Sequence, residues 1–171
     1  MNVKIAILFL LIAVSLIGWG IFVFQRLTIP ETTMAEIKRA FPADSYQIFL
    51  NSSKLTLYAL KPERQTEASE NFHGYQISGK TEIDIVQHQK DVKGALIRGM
   101  AGAKPADCFN PRHALRAIGD NGKIVDVAIS FECGKFLVYS DGAQSEGGVK
   151  AEDLEAPFNQ ILQNAGIETA K

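Results

Sequence analysis

The sequence has no excess of charge of either sign. Its 171 residues include 18 basic and 19 acidic side chains, a net charge of −1 with neutral histidines. A nucleic-acid-binding domain usually carries a basic stripe, and binding to anionic lipid headgroups usually needs a cluster of lysines and arginines. The sequence contains neither pattern, so we expect no nucleic-acid partner.

Catalytic signatures are also scarce. No serine lies in a Gly-x-Ser-x-Gly motif, and the only two cysteines form neither a Cys-x-x-Cys pair nor a standard zinc pattern. Residues 74–81 match the letters of the phosphate-binding P-loop, but Tyr75 to Ile77 are bulky and no apolar strand precedes them. The sequence therefore predicts no catalytic residue, metal, cofactor or nucleotide, and it favours a protein that is not an enzyme.

One long apolar run stands near the amino terminus. Residues 5–24 are twenty positions without a charge, which is enough to cross a bilayer as a helix. No small-x-small cleavage site follows closely, so residues 1–27 are predicted to be an uncleaved transmembrane signal-anchor, with a cleaved signal peptide as the alternative. The short basic amino terminus favours a single-pass protein of the cell membrane, with residues 28–171 as one extracytoplasmic, periplasmic domain.

The sequence pattern of the central part of the domain predicts a β-hairpin. Residues 125–133 alternate between apolar and polar side chains, and Asp120-Asn121-Gly122 before them is typical of a tight turn. Matching the apolar faces predicts three cross-strand pairs: Leu115 with Val127, Ala117 with Val125, and Arg116 with Asp126.

This hairpin brings Cys108 and Cys133 together. Carried outward, the register sets Cys133 opposite Phe109, one residue from Cys108, and a bulge near Asn110–Pro111 would correct the slip. We therefore predict a disulfide, which agrees with an oxidising compartment. Two alternatives use the same thiols: a metal site that recruits His113, with His73 as a further candidate ligand, and a redox-active pair.

Four further side chains are candidates for binding. His73 follows a polar loop and is placed to join a pocket. Arg112 and Arg116 share a strand face and are suited to an anion, although pairing with Asp126 or Glu132 is the structural alternative. His113 falls beside Ile129 on the apolar face, where a buried structural histidine is the commoner outcome.

The remaining pattern gives the fold class. We expect helices near residues 33–41, 84–100 and 152–165, strands near 46–50, 55–60 and 72–78, and loops over 61–71 and 142–150. Together with the two strands of the central hairpin, these elements predict an α+β fold. It would have an antiparallel sheet of about five strands with helices packed on one face, preceded by one transmembrane helix.

Several short segments resemble a group of uncharacterised bacterial envelope proteins. They are Phe72-His73-Gly74-Tyr75 leading to Gly79-Lys80-Thr81-Glu82, then residues 108–113, and then Phe131-Glu132-Cys133. The resemblance implies an exported location and no known activity. We therefore expect a non-catalytic binding or interaction module of the bacterial envelope. The alternative is a thiol-redox or metal-binding protein that uses Cys108, Cys133 and His113.

Overall fold

The computed structural model describes residues 31–42, 44–65, 70–100, 103–152 and 154–168. The predicted membrane anchor, residues 1–27, lies outside this part of the chain. Among the helices of the described residues, none is long and apolar enough to span a bilayer. The compact unit described below begins at Thr33.

The domain is built on one antiparallel sheet of seven strands that curls into a half-barrel. The order across the sheet is β2-β3-β1-β4-β5-β6-β7. The strands are β1 (Lys54–Arg64), β2 (Asn71–Phe72), β3 (Tyr75–Glu82), β4 (His113–Ile118), β5 (Ile124–Ser130), β6 (Lys135–Ser140) and β7 (Ala143–Gly148). The predicted α+β fold with a sheet of about five strands is therefore wrong, because a single curled sheet dominates the domain.

Two of the additional strands come from a segment predicted to be a loop or left unassigned. β6 follows the turn at residues 131–134, and β7 occupies most of the predicted loop over residues 142–150. The turn between them is Asp141–Gly142, with φ of +49° and +78°. Positive φ at both turn residues is the mirror-image geometry that matches the twist of a hairpin, so this dipeptide joins β6 directly to β7.

The described helices range from 7 to 15 residues. They are α1 (Glu31–Arg39), α2 (Ser45–Asn51), α3 (Val86–Met100) and α4 (Glu155–Asn164). α2 occupies the segment predicted to be the first strand. Tyr46 and Phe49 are buried at a spacing of three, and a window of five residues does not separate that spacing from the alternation of a strand.

The register of the central hairpin is confirmed. Leu115 pairs with Val127, Ala117 with Val125, and Arg116 with Asp126. Because side chains alternate along a strand, this register defines two faces. The His113 face carries His113, Ile129 and Phe136 from neighbouring strands, and it contacts Phe158 of α4 through His113. The Asp126 face is the opposite one.

The Asp126 face is covered by the sheet itself. The pairing of β1 with β3 shifts register between Ala59 and Leu60 and again between Leu60 and Arg64. Pro62 lies in this interval, where a missing N–H is tolerated, and such irregularities bend a strand. β2 and β3 thereby reach over the face, and a second small core forms there from Tyr58, Leu60, Phe72, Tyr75, Ala114 and Ala128.

The predicted disulfide is present, but in a different setting. Cys108 and Cys133 are bonded, with Cα atoms 5.6 Å apart. β5 ends at Ser130, so Cys133 lies in the β5–β6 turn and not on the predicted strand. Cys108 lies in the irregular segment before β4. The bond therefore ties that segment to the turn, and it does not join two hairpin strands across a bulge.

Candidate binding site

A single cross-strand row brings together four polar or aromatic side chains. Arg116 of β4 pairs with Asp126 of β5, Asp126 with Tyr139 of β6, and Tyr139 with Gln144 of β7. Residues directly opposite one another in a sheet project from the same face. The row therefore crosses the Asp126 face from the middle of the sheet to its β7 edge.

The β2–β3 turn places His73 in contact with this row. Phe72 pairs with Tyr75, so His73 and Gly74 are the two turn residues, with φ of +51° and +89°. Histidine is among the few non-glycine residues that enter this left-handed region with some frequency. The turn directs the imidazole against the Tyr139 ring, with centroids 3.7 Å apart and planes within 5° of parallel.

Asp126 is the charged centre of the arrangement. Its side chain is 5% exposed. Arg116 donates from Nε to Oδ1 at 2.8 Å and from its terminal nitrogen to Oδ2 at 2.7 Å. His73 Nε2 lies 2.8 Å from Oδ2. A bidentate arginine and a histidine thus engage both carboxylate oxygens. A buried carboxylate requires such hydrogen-bond partners.

The electrostatics agree with this geometry. Burial by itself would raise the pKa of Asp126, but the hydrogen bonds and charges of Arg116 and His73 outweigh it, and the pKa lies below its ordinary value. The hydrogen bond to Asp126 raises the pKa of Arg116. Burial raises the pKa of Tyr139, so its phenol stays protonated near neutral pH.

Aromatic rings surround the arginine as well. Arg116 Cζ lies 5.9 Å from the ring centroid of Tyr58 and 5.5 Å from that of Phe72. Both distances are within the range of cation–π attraction. Phe72 also meets the edge of His73, with centroids 5.1 Å apart. The second core therefore holds both Asp126 partners in place.

A pocket of about 350 Å³ opens beside this group. His73, Asp126 and Tyr139 form one wall, and the outer end of the sheet supplies Ile124, Asp141 and Gln144. Ile124 is 42% exposed, one of few large apolar side chains of the described residues left open to solvent. The lining combines aromatic and apolar side chains with amide and carboxylate groups, which is the composition of many small-molecule sites.

His113 lies on the other face of the sheet. It is 2% exposed, and its Nε2 donates to Asn159 Oδ1 at 2.7 Å. Its Nδ1 is buried without a hydrogen-bond partner among the described residues. Burial lowers the pKa of His113, the bond to Asn159 opposes this, and the charge of Arg112 lowers it further. The lowered pKa favours the neutral imidazole at neutral pH.

The four predicted binding residues therefore fall into two groups. His73 and Arg116 meet at Asp126 on one face. Arg112 pairs with Glu132 at 2.8 Å and lines a small cavity of about 140 Å³ with His113. His73 and His113 do not share a pocket, and both arginines have the carboxylate partners that the structural alternative named.

Tyr139 and Gln144 were not predicted, although the signal for them was present. Asp141–Gly142 is a strong two-residue hairpin sequence, and residues 136–139 before it are apolar or aromatic. A hairpin there would have aligned Tyr139 with Gln144. The pairing of Tyr139 with Asp126 is set separately, by the turn at residues 131–134 that joins β5 to β6. The segment matching the P-loop letters is a strand over residues 75–82, and Lys80 pairs with Glu70.

Comparison of the chain with models of protein families, with curated proteins and with solved structures finds no match. Within the described residues, no three histidine, cysteine or acidic side chains are grouped so that they could hold a metal ion. The proposal of a binding pocket therefore depends on the geometry of the site, and the proposal of a membrane anchor depends on residues 5–24 of the sequence.

Proposed function

We propose that this protein is a membrane-anchored, extracytoplasmic binding module of the bacterial envelope, and that the pocket beside His73 is its binding site. The observation that carries the proposal is the stack of His73 on Tyr139, fixed by the bond from His73 to a buried Asp126. A wall that is ordered before the ligand arrives favours tight binding, because ordering it on binding would cost affinity.

The arrangement suits binding better than catalysis. Both oxygens of Asp126 are engaged by Arg116 and His73, so the carboxylate orients its neighbours. The lining of the pocket contains no cysteine, lysine or arginine. The two cysteines are joined to each other and do not line the pocket. The alternative hypothesis of a thiol-redox or metal-binding protein therefore does not involve this site.

A fragment screen against the full-length protein in lipid nanodiscs would test the proposal. We expect compounds whose binding, read by saturation-transfer NMR, is weakened about tenfold by His73→Ala, since that change removes one wall of the pocket. His73→Asn serves as a second variant, because asparagine tolerates the left-handed turn.

His88→Ala is the matched control, because His88 is an exposed histidine of α3 that does not line the pocket. If every compound that binds does so equally well in the His73 and His88 variants, the pocket is not the binding site and the proposal fails.

A further inference from the structure

The charge balance of the pocket restricts its ligand. The two carboxylates in its lining are Asp126 and Asp141. Asp126 is paired with Arg116 at 2.7 Å, and Asp141 with Lys123 at 3.1 Å. Asp126 is buried, whereas the Asp141–Lys123 pair is exposed, with 62% and 48% of the two side chains open to solvent. Each acidic charge in the lining still has a basic partner, so the group has no net charge with which to attract a charged ligand. Desolvating a charged ligand without such a partner is unfavourable, so the pocket suits a neutral ligand.

The surfaces of the pocket restrict the ligand further. The aromatic and apolar part of the lining, called the wall below, consists of His73, Tyr139 and exposed Ile124. The rim offers planar polar groups, the amide of Gln144 and the carboxylate of Asp141. An amide or carboxylate both accepts and orients hydrogen bonds from neighbouring hydroxyl groups. A ligand that fits both surfaces has an apolar face and an edge rich in hydroxyl groups.

We infer that the ligand is a neutral saccharide, which rests on the proposed function. A pyranose ring presents C–H groups on its face and hydroxyls around its edge, and so matches the wall and the rim together. The volume of about 350 Å³ lies near the lower end of the range for small-molecule sites, which suits a ligand of one or two rings. A phosphate ester or a sugar amine would carry a charge that the lining does not balance.

The strand geometry explains why Gln144 is the polar residue to test. It is exposed on β7 and directly opposite Tyr139. Its side chain therefore stands beside the stack on the same face, and among the described residues it makes no side-chain hydrogen bond. Removing its amide should change ligand contacts with little effect on the fold.

Titration of the full-length protein in nanodiscs, followed by saturation-transfer NMR, tests the inference. The probes are an N-acetylglucosamine disaccharide, maltose, glucose 6-phosphate and glucosamine. We expect saturable binding of at least one of the two neutral disaccharides and at least tenfold weaker binding of both charged sugars. Gln144→Ala should weaken the binding of the neutral sugar about threefold to tenfold, the effect of losing one hydrogen bond.

Two controls match the test variants. Ile124→Ser should weaken binding, whereas Ile85→Ser should not, because Ile85 is 57% exposed and does not line the pocket. Gln163→Ala, an exposed change on α4, is the control for Gln144→Ala. Equal effects of a variant and its control would overturn the inference.

The outcomes also separate the ligand class from the proposed function. Suppose that the fragment screen finds compounds whose binding depends on His73. If no neutral sugar binds, or if a charged sugar binds best, the saccharide inference is then wrong and the binding site stands. If no compound of either kind depends on His73, both are wrong.

Discussion

The side chain of Asp126 is at the centre of the residue-scale interactions. It is 5% exposed, and its partners come from β4 and from the β2–β3 turn. A buried carboxylate is tolerated only when partners replace the water that it has lost. Because Asp126 needs both Arg116 and His73, the same interaction that satisfies its charge also fixes the position of the histidine against Tyr139.

Removal of Arg116 should therefore be costly. We expect Arg116→Met to lower the free energy of unfolding by about 2–3 kcal/mol, below the value for fully buried pairs because 34% of the arginine side chain is exposed. Lys123→Met is the matched control, since it breaks an exposed pair and should cost less than about 1 kcal/mol. Urea denaturation of the full-length protein measures both.

The double variant Arg116→Met/Asp126→Leu completes this test. It removes both charges of the pair, so it should recover at least half of the loss caused by Arg116→Met. Equal stability of the Arg116→Met and Lys123→Met proteins would contradict the role given to the pair.

His113 should make stability depend on pH. Its pKa is lowered below 6.5 in the folded protein, mainly by burial, so the unfolded chain binds more protons there. Its contribution is fully present above pH 6.5 and is lost as the pH falls through the folded pKa. We expect His113→Leu to flatten this part of the stability profile in urea denaturation at stepped pH. An unchanged slope below pH 6.5 in the variant would show that His113 is not the titrating group.

At the scale of elements, the pairing of strands in the hairpins determines which side chains meet at the site. The β4–β5 register was predictable because alternation and the turn at residues 119–122 agree on one alignment. β7 was missed because the glycines and polar residues of 142–148 resemble a loop in composition. β6 was missed although residues 136–139 are apolar or aromatic, because the Asp141–Gly142 turn that follows them was not recognised as a hairpin. α2 was mistaken for a strand, since its five-residue apolar window does not fix a period.

His73 and Asp126 could not have been paired from sequence. They lie 53 residues apart, and their contact depends on the bend in β1 that carries β2 and β3 over the Asp126 face. Local pattern predicts neighbours in one hairpin, but the curl of a sheet is a property of several strands together.

The disulfide also acts at the scale of elements, because it ties the segment before β4 to the β5–β6 turn. It closes a loop of 25 residues, for which loop entropy predicts about 3 kcal/mol of stabilisation. The double variant Cys108→Ser/Cys133→Ser should lose stability by about this amount and keep its far-ultraviolet circular dichroism. Non-reducing mass spectrometry should find no alkylatable thiol in the oxidised wild-type protein. Two reactive thiols in the oxidised wild-type protein would contradict the disulfide and favour the hypothesis of a redox-active pair or a metal site.

At the scale of the whole molecule, the uncharged run over residues 5–24 predicts a single membrane crossing with the described domain outside the cytoplasm. A carboxy-terminal alkaline phosphatase fusion should be active in a bacterial host, and a carboxy-terminal green fluorescent protein fusion should not fluoresce. The opposite pair of results would contradict the topology.

The measurement that tests the proposed site most directly is NMR of the three histidines in the full-length protein, labelled at Cε1. Each reports a different place: His73 the pocket, His88 an exposed helix and His113 the opposite face of the sheet. During titration with the neutral disaccharides, we predict a saturable shift of the His73 signal and none for His88 or His113. An unmoved His73 signal while sugar binds elsewhere, or equal shifts of all three, would contradict the assignment of this pocket as the saccharide site.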